Sequence, residues 1–522
     1  MTRVRERYPD LPVYLLIFFA CLIVGSGLVL SSSFGLKRFL AVVIGFLALS
    51  TGMMFKDLRF YAVGISVASV AFGVRLYPGK LVQQRALSLY HHGGALPTVV
   101  IQLVDISILV IGCMWVFDIG TRAKKTPEWT RFDTAVLVFL SLSLFSVYNT
   151  TEYTLFVYEV LRYAKYYLLY WILRTYIDKP FYYWGCLCII LLTLGMHSVV
   201  AFAQYFLFFT VPVAVGGVTE STFELTGGLM LQRVTGLLGH TNTFAAYLLF
   251  PVLSAFILLF ARISFWYKAA ALFSFLIGSV SLVLTFSRNG WLSLVLSLML
   301  VVGVVLSRRR LSVAILVFLL SLTVFSMGML FGFGFGDTVL NIASGGRTHA
   351  SNMVEVVLTR IFYDTGKAFD SRWDLLNLAL NMIKEHPILG IGLNTFEENM
   401  AIYDTTGVTN IIEQPVHNIY MLVAAETGIP SMIAFIIAGG ILIRYAHQLL
   451  KKPTETAFVI GAIGVCTSIS LGFSNLFDLT LRKDPLIGMT VVISSLVLSL
   501  YTQKADPLPD QRQITPTRPP PF

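Results

Sequence analysis

The chain has 522 residues, of which 56% are hydrophobic and only 13% are charged, and its formal net charge is +10. Apolar runs long enough to cross a bilayer recur from one end to the other, which excludes a soluble globular protein. The runs are continuous and rich in Leu, Val and Phe, whereas a membrane β-barrel alternates apolar and polar residues in short segments. The sequence therefore predicts an all-α polytopic membrane protein.

Length and hydropathy predict about 12–14 transmembrane helices. A long polar segment, residues 332–415, separates the last three candidate spans from the others. The first of those three contains Gly428 and Pro430, which predict an interruption of that helix. The candidate spans are residues 11–31, 39–54, 60–74, 98–120, 134–148, 153–176, 182–215, 241–261, 269–287, 290–306, 311–331, 418–445, 457–471 and 486–501.

Basic residues collect in short clusters that recur at every second crossing. Because translocation leaves lysine and arginine mainly on the cytoplasmic side, this pattern predicts cytoplasmic N- and C-termini and an outer location for residues 332–415. The charge is largely this topological signal, so it gives no support to nucleic-acid binding. The clusters are Arg3, Arg5 and Arg7; Lys56 with Arg59; Arg122, Lys124 and Lys125; Arg174 with Lys179; Arg262 with Lys268; Arg308 to Arg310; and Arg444 with Lys451 and Lys452.

The candidate span 153–176 is unusual because it carries Glu159, Arg162 and Lys165. Charges inside a span are costly, and they usually face one another or a water-filled cavity. Two interpretations follow: a pathway for a polar substrate, or a structural ion pair between Glu159 and Arg162 at helical spacing.

Further polar residues stand at the predicted outer ends of spans. Arg233 precedes the span 241–261, and it is either a solvated loop residue or a functional one. His240 and Asn242 begin the same span, where the asparagine is expected to cap the helix. Arg288 follows the span 269–287, where an arginine either extends to the membrane interface or binds a ligand.

The outer segment 332–415 is predicted to contain an amphipathic helix that covers the outer face of the membrane. Ser371 followed by Asp374 is typical of a helix N-cap, and Trp373, Leu376, Leu380 and Ile383 recur at helical spacing. Pro387 is expected to end the helix. The chain then returns to the membrane at His417, whose imidazole is either an interfacial cap or a base that takes a proton from a hydroxyl.

Neither a metal site nor a disulfide framework is predicted. The five cysteines, at positions 21, 113, 186, 188 and 466, lie in hydrophobic spans. His91 and His92 have no carboxylate or cysteine at ligand spacing. The chain also lacks any pair of acidic residues separated by one residue, which is the pattern that would hold a divalent cation. We expect no metal ion and no cofactor.

The order of these short motifs resembles that of the O-antigen ligase and O-antigen polymerase family of bacterial membrane glycosyltransferases. The resemblance covers residues 232–435. Its motifs are Arg233-Val-Thr-Gly-Leu-Leu-Gly-His-Thr-Asn242, Ser287-Arg288-Asn289-Gly290, Ser371-Arg372-Trp373, His386-Pro387-Ile-Leu-Gly-Ile-Gly392, and His417-Asn418-Ile-Tyr420 followed by Glu426-Thr-Gly428.

The resemblance implies a GT-C-like protein that transfers a glycan from undecaprenyl diphosphate to an acceptor hydroxyl outside the bacterial cytoplasmic membrane, with inversion at the anomeric carbon. It implies that Arg233 and Arg288 bind the diphosphate and that His417 activates the acceptor. It also implies that Arg372 contacts phosphate or positions the loop. Further candidate substrate-binding residues are Asn418, Tyr420, His240, Asn242 and Arg162.

The resulting organisation has four parts: N-terminal transmembrane helices (1–231), an O-antigen ligase-like catalytic region (232–435), C-terminal transmembrane helices (436–503) and a disordered cytoplasmic tail (504–522). The short, proline-rich tail favours a glycan ligase or polymerase over a protein O-oligosaccharyltransferase. A flippase for a lipid-linked sugar is the alternative from another class, but no internal repeat of the transporter type is seen in the sequence.

Overall fold

The computed structural model describes residues 57–72, 75–76, 101–207, 223–226, 229–306, 366–407, 409 and 414–503. Three predicted spans, 11–31, 39–54 and 311–331, lie outside these residues. His91, His92, residues 332–365 of the outer segment and the tail 504–522 also lie outside them.

Helices make up most of the part of the chain that the structure describes. They are α1 (Leu58–Val70), α2 (Leu103–Gly120), α3 (Arg131–Phe145), α4 (Tyr153–Tyr176), α5 (Pro180–Leu207), α6 (Thr241–Leu259), α7 (Phe265–Leu284), α8 (Arg288–Leu306), α9 (Gly366–Glu385), α10 (Phe396–Tyr403), α11 (Ile419–Thr427), α12 (Ile429–Leu450), α13 (Glu455–Ser474) and α14 (Asp484–Thr502). Short 3-10 turns cover Ser146–Asn149 and Thr480–Arg482.

Within these described residues, nine helices are long and apolar enough to cross a membrane, judged by length and composition: α2, α3, α5, α6, α7, α8, α12, α13 and α14. The charged helix α4 is longer than most of them but is not in this group. Nearly all side chains of α6 are buried, because α6 packs against α7, α8, α5 and α13. The prediction of an all-α polytopic membrane protein is confirmed.

Two short antiparallel ribbons accompany the helices. One pairs β1 (Arg75–Leu76) with β2 (Ile101–Gln102), and the other pairs β3 (Phe223–Thr226) with β4 (Leu229–Gln232). The sequence did not predict strands here, because runs this short have too few residues for an alternating pattern to be read. The second ribbon matters for the site, since β4 leads directly into Arg233.

Contacts between helix ends define the two ends of the bundle. At one end, which carries many of the basic clusters, Arg59 pairs with Asp118 at 2.8 Å, and the backbone N–H of Arg262 donates to Glu455 at 2.6 Å. At the opposite end, Gln102 Nε2 donates to Asp484 Oδ2 at 2.6 Å. This opposite end, where α4, α6, α8, α12 and α14 begin, is called the predicted outer end below.

The predicted span 418–445 is two helices, α11 and α12, separated at Gly428, as the predicted interruption requires. Residues 386–392 pack across this break. Ile391 N–H donates to the Ala425 carbonyl at 2.9 Å, and Ile429 N–H donates to the Pro387 carbonyl at 2.9 Å. Backbone groups freed by the break are thereby satisfied, as buried backbone polar groups require.

The helix α9 differs from its prediction in two respects. It begins at Gly366, so Ser371 lies inside the helix and is not its N-cap. Residues of good helix propensity, such as Lys367 and Ala368, precede the serine and extend the helix backwards. Its end at Glu385, just before His386-Pro387, is as predicted.

The buried face of α9 also consists of residues other than those of the predicted stripe. Leu375, Leu378 and Met382 are buried and pack with α10 and α11 into a second hydrophobic cluster. These three residues therefore hold the outer segment onto the protein. Of the predicted stripe, Leu376 and Ile383 are partly buried against the same cluster, whereas Trp373 and Leu380 are exposed, so the expectation that the stripe covers the outer face of the membrane stays a prediction.

Candidate active site

Arg233 is fastened to the turn that carries Arg288. Its Nε donates to the Thr285 carbonyl at 2.9 Å, and its Nη2 donates to Asn242 Oδ1 at 3.0 Å. The next residue, Val234, donates its N–H to the Leu284 carbonyl at 3.2 Å. The segment after β4 thus lies along the α7–α8 turn, and the two arginines predicted to act together belong to one local structure.

The α7–α8 turn has an unusual backbone. Phe286 is buried and adopts a φ of 51°, a left-handed conformation that is uncommon for an aromatic residue. The reversal is completed at Arg288, the half-buried first residue of α8. A helix N-terminus carries a partial positive charge, so this position adds to the attraction that Arg288 exerts on an anion.

The first turn of α8 is joined to the end of α13. Asn289 Nδ2 donates to the Ser474 carbonyl at 3.1 Å and to Ser474 Oγ at 2.9 Å. The residue that follows α13, Asn475, accepts the backbone N–H of Ile419 at its backbone carbonyl, at 3.0 Å. Two short links therefore connect Arg288 to the start of α11, where His417 lies.

The residues around His417 are held by hydrogen bonds. Asn418 caps α11, since its Oδ1 accepts the backbone N–H groups of Tyr420 and Met421 at 3.0 and 3.1 Å. Tyr420 Oη donates to the Gly472 carbonyl at 2.8 Å. Both side chains have structural partners on or near α13, and their contact with a substrate stays a prediction.

Asp478 faces His417, and the sequence reasoning did not single it out as a site residue. Its Oδ1 lies 3.9 Å from His417 Nδ1, which is longer than a hydrogen bond. Burial alone would raise the pKa of Asp478, but His417, His240 and the N–H of Leu479 together lower the pKa to about 2. Asp478 therefore presents an ionised carboxylate beside the imidazole of His417.

His240 is among the groups that influence the pKa of Asp478, and it caps α6, since its Nδ1 accepts the N–H of Thr243 at 3.3 Å. The sequence predicted Asn242 as the cap. That prediction was wrong, because His240 is the cap and the side-chain Oδ1 of Asn242 instead accepts a hydrogen bond from Arg233. The structure therefore brings five candidate residues to the same group of helix ends: Arg233, Asn242, Arg288, His240 and His417.

Arg372 and Arg162 are placed differently. Arg372 is exposed on α9, and among the described residues no hydrogen bond or ion pair joins it to the other candidates. Arg162 is buried in α4, where it forms the predicted ion pair with Glu159 and donates to the Arg482 carbonyl at 2.8 Å. Substrate contact by either arginine stays a prediction.

A buried charged cluster links the outer segment to the site, and it too was not predicted. Arg482 Nη2 lies 2.9 Å from Asn394 Oδ1, 3.4 Å from Glu426 Oε1 and 3.5 Å from Glu397 Oε2. The feature of the sequence that could have indicated it is the group of charged residues at 478–484, in a chain with few charges. The spacing could not show that these charges meet residues from α10 and α11.

Among the described residues, no group of three or more His, Cys, Asp or Glu side chains is arranged to hold a metal ion. The chemistry that these side chains offer is binding of a polyanion by two guanidinium groups and proton transfer at an imidazole supported by a carboxylate.

Residues 273–436 match the family model described as O-Antigen ligase. No curated protein matches the chain. The matched range includes Arg288, Arg372, His417, Asn418 and Tyr420, whereas Arg233, His240 and Asn242 precede it. The resemblance to the O-antigen ligase and polymerase family is thus confirmed over residues 273–436 of this multi-pass membrane protein.

Proposed function

We propose that the protein transfers a glycan from undecaprenyl diphosphate to an acceptor hydroxyl at the outer face of the bacterial cytoplasmic membrane, with inversion at the anomeric carbon and without a metal ion. The observation that supports this most is the connection of Arg233, the α7–α8 turn, α13 and α11 by hydrogen bonds. The proposal is supported because two arginines, which suit a diphosphate, and an imidazole, which suits a hydroxyl, lie at the same group of helix ends.

In the proposed reaction, Arg233 and Arg288 bind the diphosphate and stabilise the charge that develops as its bond to the sugar breaks. His417 takes the proton from the acceptor oxygen as that oxygen attacks the anomeric carbon. Asp478 is a positioning residue that orients the imidazole and stabilises it once it is protonated. Arg372 and the residues Asn418, Tyr420, His240, Asn242 and Arg162 are proposed to contact or position the substrates.

The topology proposed for this reaction has both termini in the cytoplasm and the site facing outward. The basic residues that follow the positive-inside rule support this orientation, because Arg59, Lys124, Arg262 and Lys452 all lie at the end of the bundle opposite the site.

The test uses purified full-length protein, a lipid-linked glycan extracted from the source bacterium and three acceptors: a lipid A core, a second lipid-linked glycan and a serine-containing protein. Transfer to the first indicates a ligase, to the second a polymerase and to the third a protein O-oligosaccharyltransferase. Movement of the lipid-linked glycan across vesicles without transfer between molecules would refute the proposal and favour a flippase. EDTA is expected to leave the transfer rate unchanged.

Replacing His417 by Ala is expected to lower the transfer rate by ~10²- to 10⁴-fold, because the acceptor loses its general base. His447→Ala is the matched control, since His447 is exposed in the last turn of α12, at the other end of the bundle. Transfer by His417→Ala at the wild-type rate, with normal expression, would refute the assignment.

A further inference from the structure

Arg482 occupies the point where three parts of the structure meet. Its side chain is 4% exposed, and its guanidinium contacts Asn394, Glu397 and Glu426. Asn394 and Glu397 come from the outer segment around α10, and Glu426 comes from the last turn of α11. A single arginine therefore fastens the α13–α14 connection to two elements that are distant in sequence.

The same connection carries Asp478. Asn475 holds the 3-10 turn from the other side, because its Oδ1 accepts hydrogen bonds from the Thr480 hydroxyl at 2.6 Å and from the N–H of Leu481 at 3.0 Å. Leu479, next to Asp478, is buried in the cluster formed with α9, α10 and α11. The position of the Asp478 carboxylate is thus set by a short segment that is held at Asn475 and at Arg482.

On the other side of the site, Ile419 N–H donates to the Asn475 carbonyl at 3.0 Å, and Asn418 Nδ2 donates to the Leu476 carbonyl at 3.2 Å. The residues next to His417 therefore rest on the residues that precede Asp478. A shift of the α13–α14 connection would change the separation of Asp478 and His417, which is 3.9 Å.

We propose that Arg482 is a positioning residue for the reaction: by clamping α10 and α11 onto the α13–α14 connection, it holds Asp478 against His417. This inference rests on the proposed function. Arg482 is buried and engaged on its own carboxylates, so it acts through Asp478 and does not bind the donor. Buried ion clusters are costly, and one that fixes geometry at a site has a reason to be kept.

The test is a double-mutant cycle between Asp478→Asn and Arg482→Met in the full-length protein. The rate is measured as release of undecaprenyl diphosphate from the lipid-linked glycan extract. Arg482→Met is expected to lower kcat by ~10- to 10²-fold, because a displacement of about 1 Å at a catalytic group costs this much. KM for the donor is expected to be unchanged. The double variant should be no slower than the slower single variant, since residues that act as a unit are not additive.

Arg482→Lys is the second variant, and it keeps the charge but not the planar guanidinium. It serves the same cycle if Arg482→Met does not fold. Arg174→Lys is the matched control, because Arg174 is equally buried and pairs with Asp133 at 2.9 Å near the opposite end of the bundle. The factor by which Arg174→Lys lowers kcat should multiply with the factor for Asp478→Asn, because the two sites are independent.

Effects of Arg482 and Asp478 that multiply, or an Asp478→Asn variant with wild-type kcat, would overturn the inference while His417→Ala remains inactive. Wild-type turnover by His417→Ala would instead refute the proposed function itself. The two failures are thereby distinguished.

Discussion

Gly428 is the residue whose replacement the structure predicts most sharply. It separates α11 from α12 with φ 87° and ψ 162°, a conformation that is essentially confined to glycine. A Cβ added there would lie 2.0 Å from the Ile388 carbonyl oxygen and 2.4 Å from the Ile388 carbonyl carbon. Both atoms belong to the backbone, so no side-chain rotation can relieve the clash.

The expected cost of Gly428→Ala has two parts. The backbone conformation costs about 1–3 kcal/mol for a residue with a side chain. Moving residues 386–392 away also breaks the hydrogen bonds made by Ile391, Gly392 and Ile429, each of which contributes about 0.5–1.5 kcal/mol. The combined loss of about 3–7 kcal/mol is a large share of the ~5–15 kcal/mol by which native proteins are typically stable.

Two measurements check this prediction: thermal unfolding of the purified protein, and trypsin cleavage after Lys384, which is exposed near the end of α9. Gly428→Ala should unfold at a lower temperature and be cleaved faster. Gly439→Ala is the matched control, because Gly439 lies within α12 and a Cβ there meets nothing within 4 Å. An alanine at that position should be neutral or stabilising by about 0.5–1 kcal/mol. Wild-type unfolding and cleavage of Gly428→Ala would show that the docking argument is wrong.

Two further predictions concern charged groups. Asp133→Asn leaves the fully buried Arg174 without its counter-charge, which should lower the free energy of unfolding by about 3–5 kcal/mol; a loss below about 1 kcal/mol in chemical denaturation would contradict this. Asp478 has a pKa lowered from 3.8 to about 2, so its ionised form stabilises the fold at every pH above about 4, and this contribution is lost as the pH falls from about 4 to 2. Thermal unfolding measured across this pH range should therefore show a steeper decline for the wild type than for Asp478→Asn, and parallel curves would refute the assignment.

The features that the sequence predicted best are those set by neighbouring residues. The span 153–176 coincides with α4, and the break near Gly428 and Pro430 separates α11 from α12. Both features depend on local chemistry: the length of the run between two polar loops, and the inability of proline and glycine to continue a helix. The start of α9 was mistaken because residues of good helix propensity before Ser371 extend the helix backwards.

By itself, the sequence determined the all-α membrane class, the residue types available for diphosphate binding and proton transfer, and the resemblance that the match over residues 273–436 confirmed. Only the tertiary structure decided which partners these residues have. Arg233 binds the α7–α8 turn, Asp478 faces His417, and Arg482 holds Glu397 and Glu426. Such pairs join residues that are tens of positions apart in the chain. Local spacing carries no information about them, because they form only when the helix ends are brought together by packing.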